Sequence, residues 1–256
     1  MDRDKLQRLF DLDGRVAIVT GGTRGIGRAI AEGLVSAGAK VAVASRKADA
    51  CAETEAHLKE LGGEALGVPT HMGDVDGVNE LVDRTVERFG RLDIVVNNAA
   101  TALSMPLGSL TVDAWEKSLG VNLRGPVFLV ERALPHLTES PHGVILNVIS
   151  AGAFLFSART AMYSAAKAGL MAMTRAQAAD LAGRGIRSNA LAPGTVDTDM
   201  LRNNTPEQVA SMAASSFMKR AAHPDEMVGP ALFLVSDASS FMTGQVVIVD
   251  GGLTPR

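Results

Sequence analysis

The chain has 256 residues, 46% of them hydrophobic, and a formal net charge of −3 with acidic and basic residues mixed along its length. That is enough apolar material for one large core, and it excludes disorder, a basic stripe for nucleic acid and a polybasic patch for an anionic membrane. The single cysteine, Cys51, can form no internal disulfide and is expected to pack; His57, His71, His136, His142 and His223 are scattered without metal-ligand spacing, so no metal site is expected.

Residues 1–10 are charged and lack an apolar stretch of signal-peptide length, and no run of about 18 apolar residues occurs anywhere. A soluble, cytoplasmic protein with no membrane partner is expected. Leu6, Leu9 and Phe10 suit one short amphipathic turn against the body.

The first strand pattern, 16–20, runs straight into Gly21-Gly22-Thr23-Arg24-Gly25-Ile26-Gly27, after which 28–35 is helical in pattern. Strand, glycine turn and helix in that order are what a pyrophosphate needs: Gly21 turns the chain off the strand, Gly25 lets the backbone approach the phosphates, and Gly27 permits close helix packing. The second strand pattern, 41–45, ends at Ser45, where an acidic residue would hold the adenosine ribose of NAD. Arg46 follows instead, and with Arg24 it offers two guanidinium groups to a 2′-phosphate, which favours NADP over NAD. A solvated loop start at Arg46-Lys47 is the plainer alternative.

Further strand patterns fall at 65–69, 94–97, 144–149, 186–192 and 246–249, with helical patterns between them. Apolar strands joined by helical crossovers predict a doubly wound α/β fold of the Rossmann kind: one parallel sheet of seven strands, helices on both faces, a single domain over 1–256. No linker or repeat divides the chain. The interval 193–223 is long, and rich in Met, Ser and Asn, as a substrate-covering segment would be.

Tyr163 and Lys167 lie four apart in the helical run 161–181, which stacks them on one face. A phenol with an unperturbed pKa of about 10 is a poor general acid or base, but an ammonium about 4 Å away at an effective dielectric near 20 favours the phenolate by about 4 kcal/mol, or about 3 pKa units. With seven lysines in the chain, a lysine at that spacing from the only tyrosine arises by chance roughly three times in a hundred. Alone, the pair is also compatible with a surface helix.

Taken together, Thr20 to Gly27, Asn97-Asn98-Ala99-Ala100, Asn122, Ser150, Tyr163-x-x-x-Lys167 and Pro193-Gly194 resemble the short-chain dehydrogenase/reductase family over essentially the whole chain, in its compact branch that includes 3-oxoacyl-carrier-protein reductases. The resemblance implies an NADP-dependent oxidoreductase acting on a carbonyl or secondary alcohol. Tyr163 would donate a proton to the substrate oxygen, Lys167 would hold the nicotinamide ribose and depress the tyrosine pKa, Ser150 would bond the carbonyl oxygen, and Asn122 would support a water relay to the lysine. It further implies cofactor contacts from Gly21, Thr23, Arg24, Gly25, Ile26, Gly27, Ser45, Arg46, Asp74, Val75, Asn98, Ala99, Pro193, Gly194, Val196 and Thr198, with Asn97 bracing the central strand below. A symmetric homotetramer is the family habit.

Singly, Ser150 also reads as a turn residue, Asn122 as a satisfied amide and Asp74 as a helix N-cap. Ala100 stands where the family has glycine. Leu103, Ala151, Phe154, Phe156, Met200, Met212 and Met218 are the expected rim of an apolar or mixed substrate site, a stripe that ordinary packing also explains. An NAD-dependent alcohol dehydrogenase and a non-catalytic NADP-binding regulator are the alternatives.

Overall fold

Alternate side chains of the strand Val16–Thr20 (β1) go to opposite faces: Ala17 and Val19 join one buried cluster, Val16 and Ile18 the other. All are fully buried, so the strand is covered on both sides, as a parallel sheet requires. In the computed structural model, which describes residues 1–155 and 158–254, six more strands extend it. They are β2 (Lys40–Ser45), β3 (Ala65–Pro69), β4 (Ile94–Asn97), β5 (Val144–Val148), β6 (Arg187–Pro193) and β7 (Val246–Val249), in the order β3-β2-β1-β4-β5-β6-β7 and parallel at every pairing.

The helices among the described residues are α1 (Arg3–Arg8), α2 (Gly25–Ser36), α3 (Ala48–Glu60), α4 (Val75–Phe89), α5 (Val112–Leu119), α6 (Gly125–Glu139), α7 (Ala161–Leu181), α8 (Asp199–Arg202), α9 (Pro206–Ala214) and α10 (Val228–Val235). Ile30 and Leu34 of α2, Leu58 of α3 and Leu234 of α10 fill one face with Ala17 and Val19; Leu81 of α4, Leu129 of α6 and Leu181 of α7 fill the other with Val16 and Ile18. The seven-stranded, doubly wound sheet anticipated from the periodicity is therefore present. Its edges differ by a residue: β5 stops at Val148, although Ile149 N still donates to Leu191 O at 2.8 Å, and β6 runs one position later than expected.

Chain order reverses between β1 and β4, so the crevice beyond their carboxyl ends is where a ligand belongs. Two details shape that end. Between α5 and α6 the helix widens into a π turn, Gly120–Arg124, and Gly125 then passes so close to Met72 that a Cβ would lie 2.1 Å from its carbonyl oxygen. The interval 193–223 carries α8 and α9, and a capping box of Thr205 and Gln208 starts α9.

The opposite edge is fastened by Asp93, fully buried, which accepts from Val16 N at 2.8 Å, from Arg91 Nε at 2.9 Å and Nη2 at 2.6 Å, and from the Ser140 hydroxyl. Burial pushes its carboxyl pKa up, but the bonds from Arg91, Ser140 and Val16 outweigh it and hold the value below the ordinary one. This stabilisation is complete above the ordinary carboxylate range and is lost as pH falls through the lowered value. Asp93→Ala, which leaves Val16 N–H and Arg91 without their acceptor, is expected to lose about 3 kcal/mol in urea unfolding at neutral pH; a loss under about 0.5 kcal/mol would show that Asp93 fastens nothing.

Candidate active site

The glycine loop leaves β1 at Gly21 and enters α2 at Gly25, both with positive φ, +65° and +53°. Gly27 is fixed by space: a Cβ there would sit 2.2 Å from Gly21 O and 2.3 Å from Asn98 Nδ2. The loop hangs from β4 through Thr20, whose buried hydroxyl donates to Val96 O at 3.3 Å and accepts from Asn98 N at 3.0 Å and Ala99 N at 3.1 Å. Asn98 Nδ2 returns bonds to Thr20 O at 2.9 Å and Gly21 O at 3.3 Å. Thr20, the end of a motif in the sequence, is the pin between the two strands in three dimensions.

Does this loop fit a dinucleotide pyrophosphate? The N-cap of α2, Arg24, makes no side-chain cap bond, and the first turn of this 12-residue helix has no acidic residue. Its first N–H groups and dipole therefore face the loop uncompensated, and the glycines keep side chains out of the cradle. The fit is good. Thr23 and Ile26 are half-buried, Ser45 is half-buried at the end of β2, and Arg46 beside it is exposed.

Other expected contacts are distributed unevenly. Pro193 ends β6, and Gly194 lies so close to Asp250 that a Cβ would meet its Cα at 2.7 Å. Val196 bridges to Ala222, and Thr198 lies against Gly25. Asp74 is exposed and caps α4 by accepting from Asp76 N at 3.2 Å, with Val75 the first residue of that helix. Of the two arginines expected at a 2′-phosphate, Arg24 is paired with Asp199 at 3.0 Å, while Arg46 stands apart from any ion pair among the described residues.

The residues expected to react, Ser150, Tyr163 and Lys167, come together where β5 ends and α7 begins. Ser150 follows β5, where its Oγ accepts from Gly152 N at 3.0 Å and shares a hydrogen bond with Tyr163. Lys167, 1% exposed, donates from Nζ to Val148 O at 2.7 Å and lies 5.8 Å from the centroid of the Tyr163 ring. Asn122, carried inward by the π turn, clamps the Thr101 backbone: Nδ2 donates to its carbonyl at 2.8 Å and Oδ1 accepts from its N–H at 2.9 Å. Asn122 is fully buried, so its amide is committed to shaping the wall above β4. Asn97 donates to Asn147 Oδ1 at 2.9 Å, and Asn147 reaches Thr174 and Gln177 of α7 at 2.9 and 3.1 Å, so the brace expected at Asn97 runs through β5 to α7.

The rim is mixed. Met200, Met212 and Met218 are exposed and Leu103 is half-buried, whereas Ala151 is buried and Phe154 packs on the cluster of Ile149 and Leu170. Phe156 lies outside the described residues.

The charge expectation for Tyr163 and Lys167 is reversed. Burial pushes the phenol above the ordinary tyrosine value, only partly opposed by the Ser150 bond, and burial lowers Lys167 to about 8. Desolvation penalises both charged forms, and the lysine's Nζ is turned to a carbonyl instead of the phenol oxygen. Between about 8 and the ordinary 10.5 the unfolded chain holds a proton on Lys167 that the folded protein has released, so stability rises with pH across that window. Below it the buried charge destabilises by roughly 3 kcal/mol. Lys167→Met is therefore expected to raise the unfolding free energy at pH 7 and to lose that advantage above pH 10 or so; a constant difference across pH would refute the burial account.

A family model described as Enoyl-(Acyl carrier protein) reductase matches residues 21–254. The chain is 39% identical over 241 residues to cis-4-hydroxycyclohexanecarboxylate dehydrogenase of Sinomonas cyclohexanicum, covering 94% of this chain and 96% of that protein. It is 37% identical over 250 residues to the rhamnolipids biosynthesis 3-oxoacyl-[acyl-carrier-protein] reductase of Pseudomonas aeruginosa, covering 95% and 97%. Among solved structures it is similar to a gluconate 5-dehydrogenase from Burkholderia cenocepacia J2315 in complex with NADP and tartrate, with TM-score 0.93, 33% identity, and 98% and 99% of the two chains covered. The chain belongs to the short-chain dehydrogenase/reductase family of oxidoreductases.

Proposed function

We propose that this protein is an NADP-dependent oxidoreductase that interconverts a carbonyl and a secondary alcohol, with Tyr163 as its general acid and base. The observation that carries the reading is the placement of Ser150, Tyr163 and Lys167 at the carboxyl edge of the sheet that also presents the open, uncapped glycine loop. Bound there, the reduced nicotinamide would supply a hydride to the carbonyl carbon. Gly21, Gly25 and the first turn of α2 would hold the diphosphate, Arg46 the 2′-phosphate, Lys167 the ribose, and Pro193, Gly194, Val196 and Thr198 the nicotinamide end.

The chain's own part is proton handling. A phenol whose pKa is raised by burial rests protonated at neutral pH, which suits it to give its proton to the substrate oxygen in reduction. Ser150, already bonded to Tyr163, can turn its hydroxyl proton toward the same oxygen and steady the developing alkoxide. In oxidation the roles reverse, and the phenol must first lose its proton.

The substrate we favour is an acyclic or cyclic ketone that carries an apolar body, with a 3-oxoacyl thioester or a carboxylate-bearing ketone as the leading classes. Support comes from the exposed Met200, Met212 and Met218 and from the oxoacyl, cyclohexanecarboxylate and gluconate chemistry that the relatives' names state. The segment 193–223, with α8 and α9, would cover it. The exposed Val112 and Trp115 of α5 and Phe128 of α6 suit contact between copies, and a homotetramer is the assembly proposed. We also place the protein in the cytoplasm; no described helix is long and apolar enough to cross a membrane.

A panel of ketones and alcohols assayed with both cofactors tests the reading. Tyr163→Phe is expected to lower turnover by about 10²- to 10⁴-fold while leaving folding and NADPH binding intact. Undiminished turnover would remove Tyr163 from the chemistry. Because the resting phenol is neutral, alcohol oxidation should climb with pH through the alkaline range while carbonyl reduction holds level at neutral pH; the opposite order would reject the assigned acid. Arg46→Ala should weaken NADPH about 10- to 100-fold, the scale of bonds to a charged group, and leave NADH unchanged; equal affinities before and after would exclude Arg46 as the phosphate contact.

A further inference from the structure

The covering segment is tied to the glycine loop at two points. Arg24 Nη1 donates to Asp199 Oδ2 at 3.0 Å, and Gly25 faces Thr198 so closely that a Cβ would lie 3.0 Å from its Cγ2. Asp199 is the first residue of α8, so the ion pair joins the N-cap of the phosphate-facing helix to the first turn of the cover. Neighbouring charges are already matched elsewhere: Arg202 with Asp197 inside the cover at 2.9 and 3.1 Å, and Arg220 with Glu226, just beyond it, at 2.6 and 2.7 Å. Arg24 is thus the cation of the glycine loop that a carboxylate from the cover has claimed. Both partners are exposed, 70% and 52%, so the link is weak enough for a ligand to break.

We propose that Asp199 is an internal competitor for the 2′-phosphate of the cofactor, and that exchange of Arg24 from carboxylate to phosphate releases the first turn of the cover. The inference rests on the NADP reading above. A 2′-phosphate carries about −1.5 to −2 charges against one on Asp199, and it offers more acceptor oxygens to a guanidinium. A dinucleotide bearing it takes Arg24 and leaves Asp199 without its partner and facing a like charge. One that lacks it has nothing to offer Arg24, and the latch stays closed. Asp199 therefore sets cofactor preference by opposition, while Arg46 sets it by attraction. Since a ligand moves an equilibrium only by its different affinity for the two states, the 2′-phosphate alone supplies the bias.

The test uses the intact protein, with Kd measured by titration for NADPH and NADH and with amide hydrogen exchange read over 199–214. Asp199→Asn is expected to tighten NADPH by about two- to fivefold, the worth of an exposed ion pair, and to leave NADH unchanged. In the background of Arg24→Ala the same substitution should change neither affinity. With the native chain, exchange at 199–202 should be faster in the presence of NADP than of NAD, and Asp199→Asn should remove that difference. An unchanged or weakened NADPH affinity in Asp199→Asn, or an equal shift for both cofactors, overturns the competition while leaving the NADP reading standing. A native protein that binds NADH as tightly as NADPH, with Arg46→Ala silent, overturns the NADP reading and the competition with it.

Discussion

The hydroxyl of Thr20 is the constraint on which the site depends. It has one proton and two lone pairs, and all three are used between neighbouring strands: a bond to Val96 O and bonds from Asn98 N and Ala99 N. These join the end of β1 to the end of β4 at the place where strand order reverses, the one place in the sheet where no helix crosses directly between neighbours. Asn98 completes the tie by reaching Thr20 O and Gly21 O, and Gly27 must then pass under the Asn98 amide with no room for a methyl group. The direction of α2, and hence of its uncapped N–H groups, follows from that contact. A cradle for phosphate is in this sense a by-product of how a buried hydroxyl is satisfied.

A second constraint acts on Tyr163 and Lys167. Tyr163 and Lys167 share a helix face, as their spacing demands, but the environment of that face decides their charges. Moving an ammonium into a dry interior is unfavourable by more than a phenol several ångströms away can return, so the lysine turns to the Val148 carbonyl and its pKa falls to about 8. The phenol, half-buried and given only the Ser150 bond, moves the other way. A Coulomb estimate made from spacing alone counts the attraction and omits desolvation. Here desolvation wins.

Much of the fold was legible because the strands are short, mostly apolar and separated by helical patterns, signals that survive an error of a residue at the ends. The glycine loop was legible for the same reason: Gly21, Gly25 and Gly27 mark places where a side chain cannot go, which is a local property. What was not legible is pairing at a distance. Nothing in the spacing says that Asn122 grips Thr101, that Asn147 joins Asn97 to Gln177, or that α5 opens into a π turn at Gly120 before α6 begins. Asp74 shows the converse, since its plainer reading as a helix cap is the contact its side chain makes.

Arg24 is the sharpest case, because a cation in a phosphate-binding loop invites the inference that it waits for a phosphate. Charged side chains at a surface do not wait; they take the best partner within reach, and α8 brings Asp199 to 3.0 Å. Affinity for a phosphate is then a difference between two engagements of the same guanidinium, and the partner that sets the difference lies 175 positions away in the chain. Arg46 has no such rival among the described residues, so its whole interaction is available to the ligand. Two arginines that look equivalent in sequence are thus unequal in energy. The inequality has its origin in the segment 193–223, because the rival carboxylate belongs to it.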